Sequence, residues 1–121
     1  MANREVIFVY GSLRRGMRMH QLLAKADYLG LTCTTAQYTL YHSGSWPAAV
    51  TGGGIAIRGE LYEVSKNKML EIDNYEGHPR LFRRTRIVLA GSQVAFMWIY
   101  VCNVDSLWEI IPTGDWTRVV Q

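Results

Sequence analysis

The sequence is poor in the features that staple, anchor or metallate a chain. Among 121 residues there are only two cysteines, Cys33 and Cys102, far apart and both inside strand-like runs. This reads as two buried thiols in a reducing compartment rather than a disulfide. The three histidines, His20, His42 and His78, have no ligand spacing to one another or to cysteine. No metal is expected, and no cofactor. Val94 to Cys102 is the longest apolar run, about half of what crosses a bilayer. The opening Met1-Ala2-Asn3-Arg4-Glu5 carries no apolar signal core, so a cytoplasmic protein with no membrane partner is expected.

Charge is also scarce in any concentrated form. The formal net charge is +3, and the basic residues are dispersed except for Arg14-Arg15 and the set Arg80, Arg83, Arg84 and Arg86. A solvated strand face accounts for the second set, so nucleic acid is not an expected partner. No repeat, low-complexity tract or linker interrupts the chain. One domain over residues 1–121 is expected, long enough to bury a core.

What is present is organised around Val6-Ile7-Phe8-Val9-Tyr10-Gly11-Ser12-Leu13. A run of β-branched and aromatic residues reads as a buried strand. Gly11 ends it, with torsions that other residues avoid, and Ser12 and Leu13 then leave the sheet with their amides exposed. The result is a nest of N–H donors suited to a carboxylate, a carbonyl oxygen or a developing oxyanion. A tight turn without a ligand is the plainer alternative.

Further along, Met19, Leu22, Leu23 and Ala26 make one stripe of a short helix over residues 18–26. Residues 28–42 are strand-like and end at the turn Gly44-Ser45-Trp46-Pro47, where Trp46 either lids the core or walls a pocket. Ile55 to Val64 alternates as a half-buried strand, and Gly59 within it predicts a kink that curls the sheet toward a barrel. Leu81 to Leu89 reads as a strand with one solvated, arginine-bearing side. A hairpin turn at Ala90-Gly91-Ser92 then leads into Val94 to Cys102, a central strand buried on both faces. Tyr100 in that strand reads equally as a core ring.

Between these strands, Ser65 caps a helix that ends at Gly77 before Pro79. Met69, Ile72, Asp73 and Glu76 share one side of it. A carboxylate at Glu76 is therefore either a frayed surface group, paired with Arg80 or Arg83, or a buried acid. Burial would raise its pKa into the range of a general base.

These stretches resemble, in order, the gamma-glutamylcyclotransferase-like family. The resemblance rests on Val9-Tyr10-Gly11-Ser12-Leu13 with Arg14-Arg15-Gly16, then Gly44 to Val50, Ile57 to Val64, and Ile72 to Pro79 with Phe82-Arg83. It implies an α+β fold, a small curled mixed β-barrel flanked by two or three short helices. It also implies conversion of a γ-glutamyl amide or amine into 5-oxoproline and a free amine or amino acid. On these terms Glu76 is the acid/base, and Tyr10, Gly11, Ser12, Leu13, Trp46 and Tyr100 surround a small-molecule substrate. Phe82 stands where many relatives carry tyrosine. A monomer or homodimer fits this reading. The rival from another class is a non-catalytic module that binds a small carboxylate in the same cavity.

Overall fold

The computed structural model describes residues 4–119. Among these residues eight strands form two sheets. The larger holds β1 (Arg4–Val9), β2 (Asp27–Cys33), β5 (Arg58–Ser65), β6 (Phe82–Val88) and β7 (Val94–Tyr100) in the order β2-β5-β1-β7-β6. β1 runs parallel to β7, and the other neighbours are antiparallel. The smaller is antiparallel, with β3 (Tyr38–His42) between β4 (Pro47–Thr51) and the two-residue β8 (Glu109–Ile110). The α+β class and the mixed sheet follow the expectation, but the barrel does not, since the strands divide into two sheets.

The five-stranded sheet is covered on both faces, and its central strands alternate between two cores. Phe8, Leu61, Met97 and Ile99 point into one with Leu40, Ala49 and Ile111 of the smaller-sheet region. Ile7, Val9, Tyr62, Val64 and Trp98 point into the other. The central strands therefore present apolar side chains to both sides, which explains their near-continuous hydrophobicity. β5 belongs with them: Glu60, Leu61 and Tyr62 are all buried, so it is not the half-buried strand that alternation suggests. Gly59 does not bulge β5, which pairs through it with Thr32, and the irregularity falls in β2 at Tyr28 and Gly30.

The helix α1 (Lys66–Glu76) lies over the second core. Ser65 accepts the Lys68 N–H in an N-cap, and Gly77 closes the helix in the left-handed conformation with φ 71°. Met69 and Ile72 are its buried anchors, each stabilising the packing by about 1.5–3 kcal/mol. Of the helix expected over residues 18–26, only a single 3₁₀ turn, His20–Leu23, forms. Its backbone is committed elsewhere, with Met17 N–H bonded to Arg14 O and Met19 N–H to Ser12 O. The apolar stripe nevertheless packs as read, with Leu23 buried and Met19, Leu22 and Ala26 against the second core. A second 3₁₀ turn, Trp116–Arg118, follows β8. Among the described residues no helix is long and apolar enough to cross a membrane. Cys33 is half-buried and Cys102 exposed, both free, so the expectation of two buried thiols fails.

Candidate active site

Strand β1 ends under the last turn of α1, and a cavity of about 230 Å³ opens between them. Phe8, Val9, Tyr10 and Trp98 line it from the core. Gly11, Ser12, Leu13, Trp46 and Pro47 line it from the turns, and Tyr75, Glu76, Leu81 and Phe82 from the helix side.

The turn after β1 is held by bonds that leave its inner donors unspent. Arg14 N–H bonds to Gly11 O, and Met19 N–H to Ser12 O. Leu13 O takes a bond from His20 Nδ1 at 2.9 Å; a carbonyl only accepts, so that ring nitrogen carries the proton. No described residue accepts from the backbone N–H of Gly11, Ser12 or Leu13. Oriented amides without partners at the wall of a cavity make an anion-binding concavity.

The reason for glycine at position 11 differs from the expected one. Its backbone is not in the left-handed region. Instead, a Cβ there would stand 2.8 Å from Pro47 Cγ, so the glycine is required by the close approach of β4.

Behind the turn, the structure separates the adjacent pair Arg14-Arg15, burying the first and leaving the second exposed. The Arg14 guanidinium meets Glu60 at 3.0 Å and Asp115 at 3.1 Å. Glu60 also accepts from Arg15 N–H and the Tyr62 hydroxyl, both at 2.9 Å. The loop that carries the unspent amides is thus fastened to β5 and to the C-terminal segment by a buried ion-pair network. Burial alone would raise the Asp115 pKa, but hydrogen bonds from Thr117 and the charge of Arg14 outweigh it and hold the carboxyl below its ordinary range.

Opposite the amides stands Glu76. It is half-buried, and among the described residues no side chain pairs with it; neither Arg80 nor Arg83 reaches it. Desolvation raises its pKa from 4.5 to about 7. Asp73, one turn earlier, is buried and fully engaged, accepting from Trp98 Nε1 at 2.9 Å and pairing with Arg84. Of the two carboxylates on this side of α1, one is structural and the other faces the cavity unpartnered.

The structure gathers Tyr10, Gly11, Ser12, Leu13, Trp46 and Glu76 around one space, but Tyr100 is not among its walls. Tyr100 stacks behind Trp46 and Phe82 at ring separations of 5.7 and 5.5 Å, and its hydroxyl bonds to Asn103 O. It supports the wall. The Tyr10 hydroxyl is also committed, donating to Trp98 O at 2.7 Å and accepting from Ala49 N–H. Burial raises its pKa, and the charge of Glu76 adds to the shift, so it stays a neutral donor.

Sequence reasoning missed Arg18, Tyr75, Leu81 and Trp98 as lining residues. Tyr75 had a usable signal, since it adjoins Glu76 in the last turn of α1. Arg18 had none, because it was placed in a helix that does not form.

Comparison with known proteins bears on the family of the chain. Residues 7–118 match the family described as Gamma-glutamyl cyclotransferase, AIG2-like. The chain is 33% identical over 110 residues to the gamma-glutamylcyclotransferase family protein YtfP of Escherichia coli K12, covering 91% of this chain and 94% of that protein. It is 32% identical over 90 residues to the gamma-glutamylaminecyclotransferase of Rattus norvegicus, covering 67% of this chain and 60% of the relative. The crystal structure of the uncharacterized protein PH0828 from Pyrococcus horikoshii superposes with a TM-score of 0.81 at 29% identity, over 96% of this chain and 92% of that one. A family match over nearly the whole chain, joined to a relative of this identity and coverage, decides the assignment: this protein belongs to the gamma-glutamyl cyclotransferase, AIG2-like family.

Proposed function

We propose that the protein cyclises a γ-glutamyl amide or amine, releasing the amine or amino acid and leaving 5-oxoproline, with Glu76 as the general acid/base. The observation that carries this reading is one cavity shared by an unpaired carboxylate of raised pKa and three unspent backbone donors. The rat relative's name supplies the reaction class.

The chemistry asks little of a protein beyond this. The α-amino nitrogen of the glutamyl unit attacks the γ-carbonyl carbon of the same unit, a C–N bond forms, and the original amide C–N bond breaks. Because the nucleophile is tethered, a cavity that folds the glutamyl chain supplies proximity. The attacking nitrogen must lose a proton and the leaving nitrogen must gain one. A carboxyl group with a pKa near 7 can take the first and deliver the second, worth about 10² to 10⁴ in rate. The Gly11, Ser12 and Leu13 amides serve the negative oxygens of the glutamyl unit, its α-carboxylate and the carbonyl oxygen as charge builds there. Trp46 and Phe82 exclude water around the reacting centre.

The test is release of 5-oxoproline from a panel of γ-glutamyl amino acids and amines, by the native protein and by Glu76→Gln. Turnover by the native protein, with a loss of at least about a hundredfold in the variant, is the expected result. Equal turnover by both proteins removes Glu76 from the mechanism. Ligand binding without any product from the native protein would instead favour a carboxylate-binding module.

A further inference from the structure

We infer that Arg18 selects the leaving group by charge, favouring a γ-glutamyl conjugate whose leaving portion carries an anion over a neutral one, and a neutral one over a cationic one. This rests on the cyclisation reading above and names a part of the substrate that the reading leaves open.

Among the described residues that line the cavity, Arg18 and Glu76 are the only charged ones. Glu76 is occupied with the reacting nitrogens, so Arg18 is the sole fixed charge left to meet the rest of the substrate. It has no ion-pair partner among the described residues, unlike Arg14, which Glu60 and Asp115 hold in the interior. An arginine that packs for stability is expected to be paired, as Arg14 is. An unpaired one at a cavity wall is available to a ligand.

Its place in the cavity assigns the part of the ligand. Burial grades from Tyr10 and Trp98 at 6% and 2% exposure to Tyr75 and Leu81 at 37% and 40%, and Arg18 belongs to the exposed end. The glutamyl unit has to reach the Gly11–Leu13 amides and Glu76. The leaving portion, which must depart, points outward past Tyr75 and Leu81 to Arg18. The Met19 N–H bond to Ser12 O fixes the backbone beside Arg18 against the turn, so the side chain starts from a fixed point next to the site. A carboxylate on the leaving portion gains a charge-assisted hydrogen bond there, whereas a second ammonium meets the like charge of Arg18, the other charged lining residue, Glu76, being engaged with the reacting nitrogens.

Three substrates of nearly equal size separate the possibilities: γ-glutamyl-alanine, γ-glutamyl-ethylamide and γ-glutamyl-(2-aminoethyl)amide. They present a carboxylate, nothing, and an ammonium. The expected order of kcat/KM in the native protein is the order just given, with steps of about five- to tenfold. The spread narrows at raised salt and collapses in Arg18→Gln, an exposed substitution that breaks no bond within the fold. An unchanged spread in Arg18→Gln overturns the inference. So does an equal loss on all three substrates, which would place Arg18 on the glutamyl half. If the native protein releases no 5-oxoproline from any of them, the cyclisation reading fails separately. Calorimetric binding of the three compounds to Glu76→Gln and to Glu76→Gln with Arg18→Gln then decides the inference. The same order, lost in the double variant, upholds it; no order, or no binding, overturns it.

Discussion

The Ser12 hydroxyl lies 2.7 Å from the Tyr75 hydroxyl. This bond joins the turn that follows β1 to the helical residue preceding Glu76, two segments 63 positions apart in the chain. Both residues line the cavity, so the bond ties the segment that carries the unspent amides to the one that carries the carboxylate. Relative placement of donor and base is what an intramolecular attack depends on. Ser12→Ala is therefore expected to change stability by no more than about 0.5 kcal/mol, as for other exposed sites. It should raise KM for a γ-glutamyl substrate several-fold while leaving the pH profile in place. Paired urea melts and steady-state kinetics check this. A pH profile that moved with the substitution would mean that the bond tunes Glu76 itself.

The raised pKa of Glu76 fixes the pH dependence of turnover. The base form is required, so kcat/KM should climb with pH through an apparent value of about 7 and level above it. In Glu76→Gln the residual rate should lose that limb. A limb that survives the substitution belongs to another group.

The same shift has a consequence for stability. A carboxyl whose folded pKa lies above its unfolded one binds protons more tightly in the native state, so its ionisation opposes folding. The cost is absent below the ordinary pKa of 4.5, grows as pH rises toward about 7, and stays constant above. In a fully dry site it would reach on the order of 3 kcal/mol; Glu76 keeps access to solvent through the cavity, which reduces this to roughly 2. Glu76→Gln should thus be more stable than the native protein at pH 8 and about equal to it at pH 4. Chemical denaturation at the two pH values measures the difference, and a less stable variant at pH 8 would show that the carboxylate is held by favourable bonds after all.

How much of this was legible in the sequence depended on distance along the chain. The cap at Ser65, the stop at Gly77 and the stripe of Met69, Ile72 and Asp73 are local, and each is where the periodicity placed it. The turn at Gly11–Leu13 was equally local, although the reason for its glycine lies in Pro47 on another strand. The burial of Arg14 was not legible because its partners, Glu60 and Asp115, are 46 and 101 positions away. The same holds for the barrel. A glycine inside β5 suggested curling, but whether the sheet closes depends on its edge strands β2 and β6, whose ends meet through the isolated Thr34–Leu89 bridge between distant parts of the chain. Arg18 escaped for a different reason, since local turn bonds from Met17 N–H to Arg14 O and from Met19 N–H to Ser12 O replaced the helix that its neighbours' spacing favoured.

The buried network around Arg14 should be a main support of the fold. Arg14→Met leaves Glu60 without its cation and Asp115 with only the exposed Arg118 at 3.8 Å, with an expected cost of about 3 to 5 kcal/mol. The sign of the pH dependence follows from Asp115, whose folded pKa is depressed below 3.8. Its stabilising contribution is fully present above that ordinary value and is lost as pH falls through the lower folded one. The gap between native protein and variant should accordingly close in strong acid. Thermal melts from neutral pH downward test this, and a gap that widened in acid would contradict the assignment.

The sharpest probe of the amide turn is a pair of glycines in it and beside it. At Gly11 the backbone tolerates a side chain, but a Cβ would stand 2.8 Å from Pro47 Cγ and 3.3 Å from Pro47 Cδ. A proline ring cannot rotate away, and Pro47 is held in β4 opposite His42, so the turn itself has to move. At Gly16 nothing lies within 4 Å of an added Cβ, but φ is 81°, a conformation that alanine adopts only with strain. Gly11→Ala and Gly16→Ala should therefore both cost about 1 to 2 kcal/mol, through crowding in one case and backbone strain in the other. Only the first displaces donors that face Glu76. Turnover should fall at least about tenfold in Gly11→Ala, the scale expected when a reacting group is misplaced, and remain near the native level in Gly16→Ala once both are measured well below their melting temperatures. Equal losses would mean that general destabilisation governs activity. Full activity in Gly11→Ala would mean that the amides of this turn do not meet the substrate, and the mechanism would have to find its anion donors elsewhere.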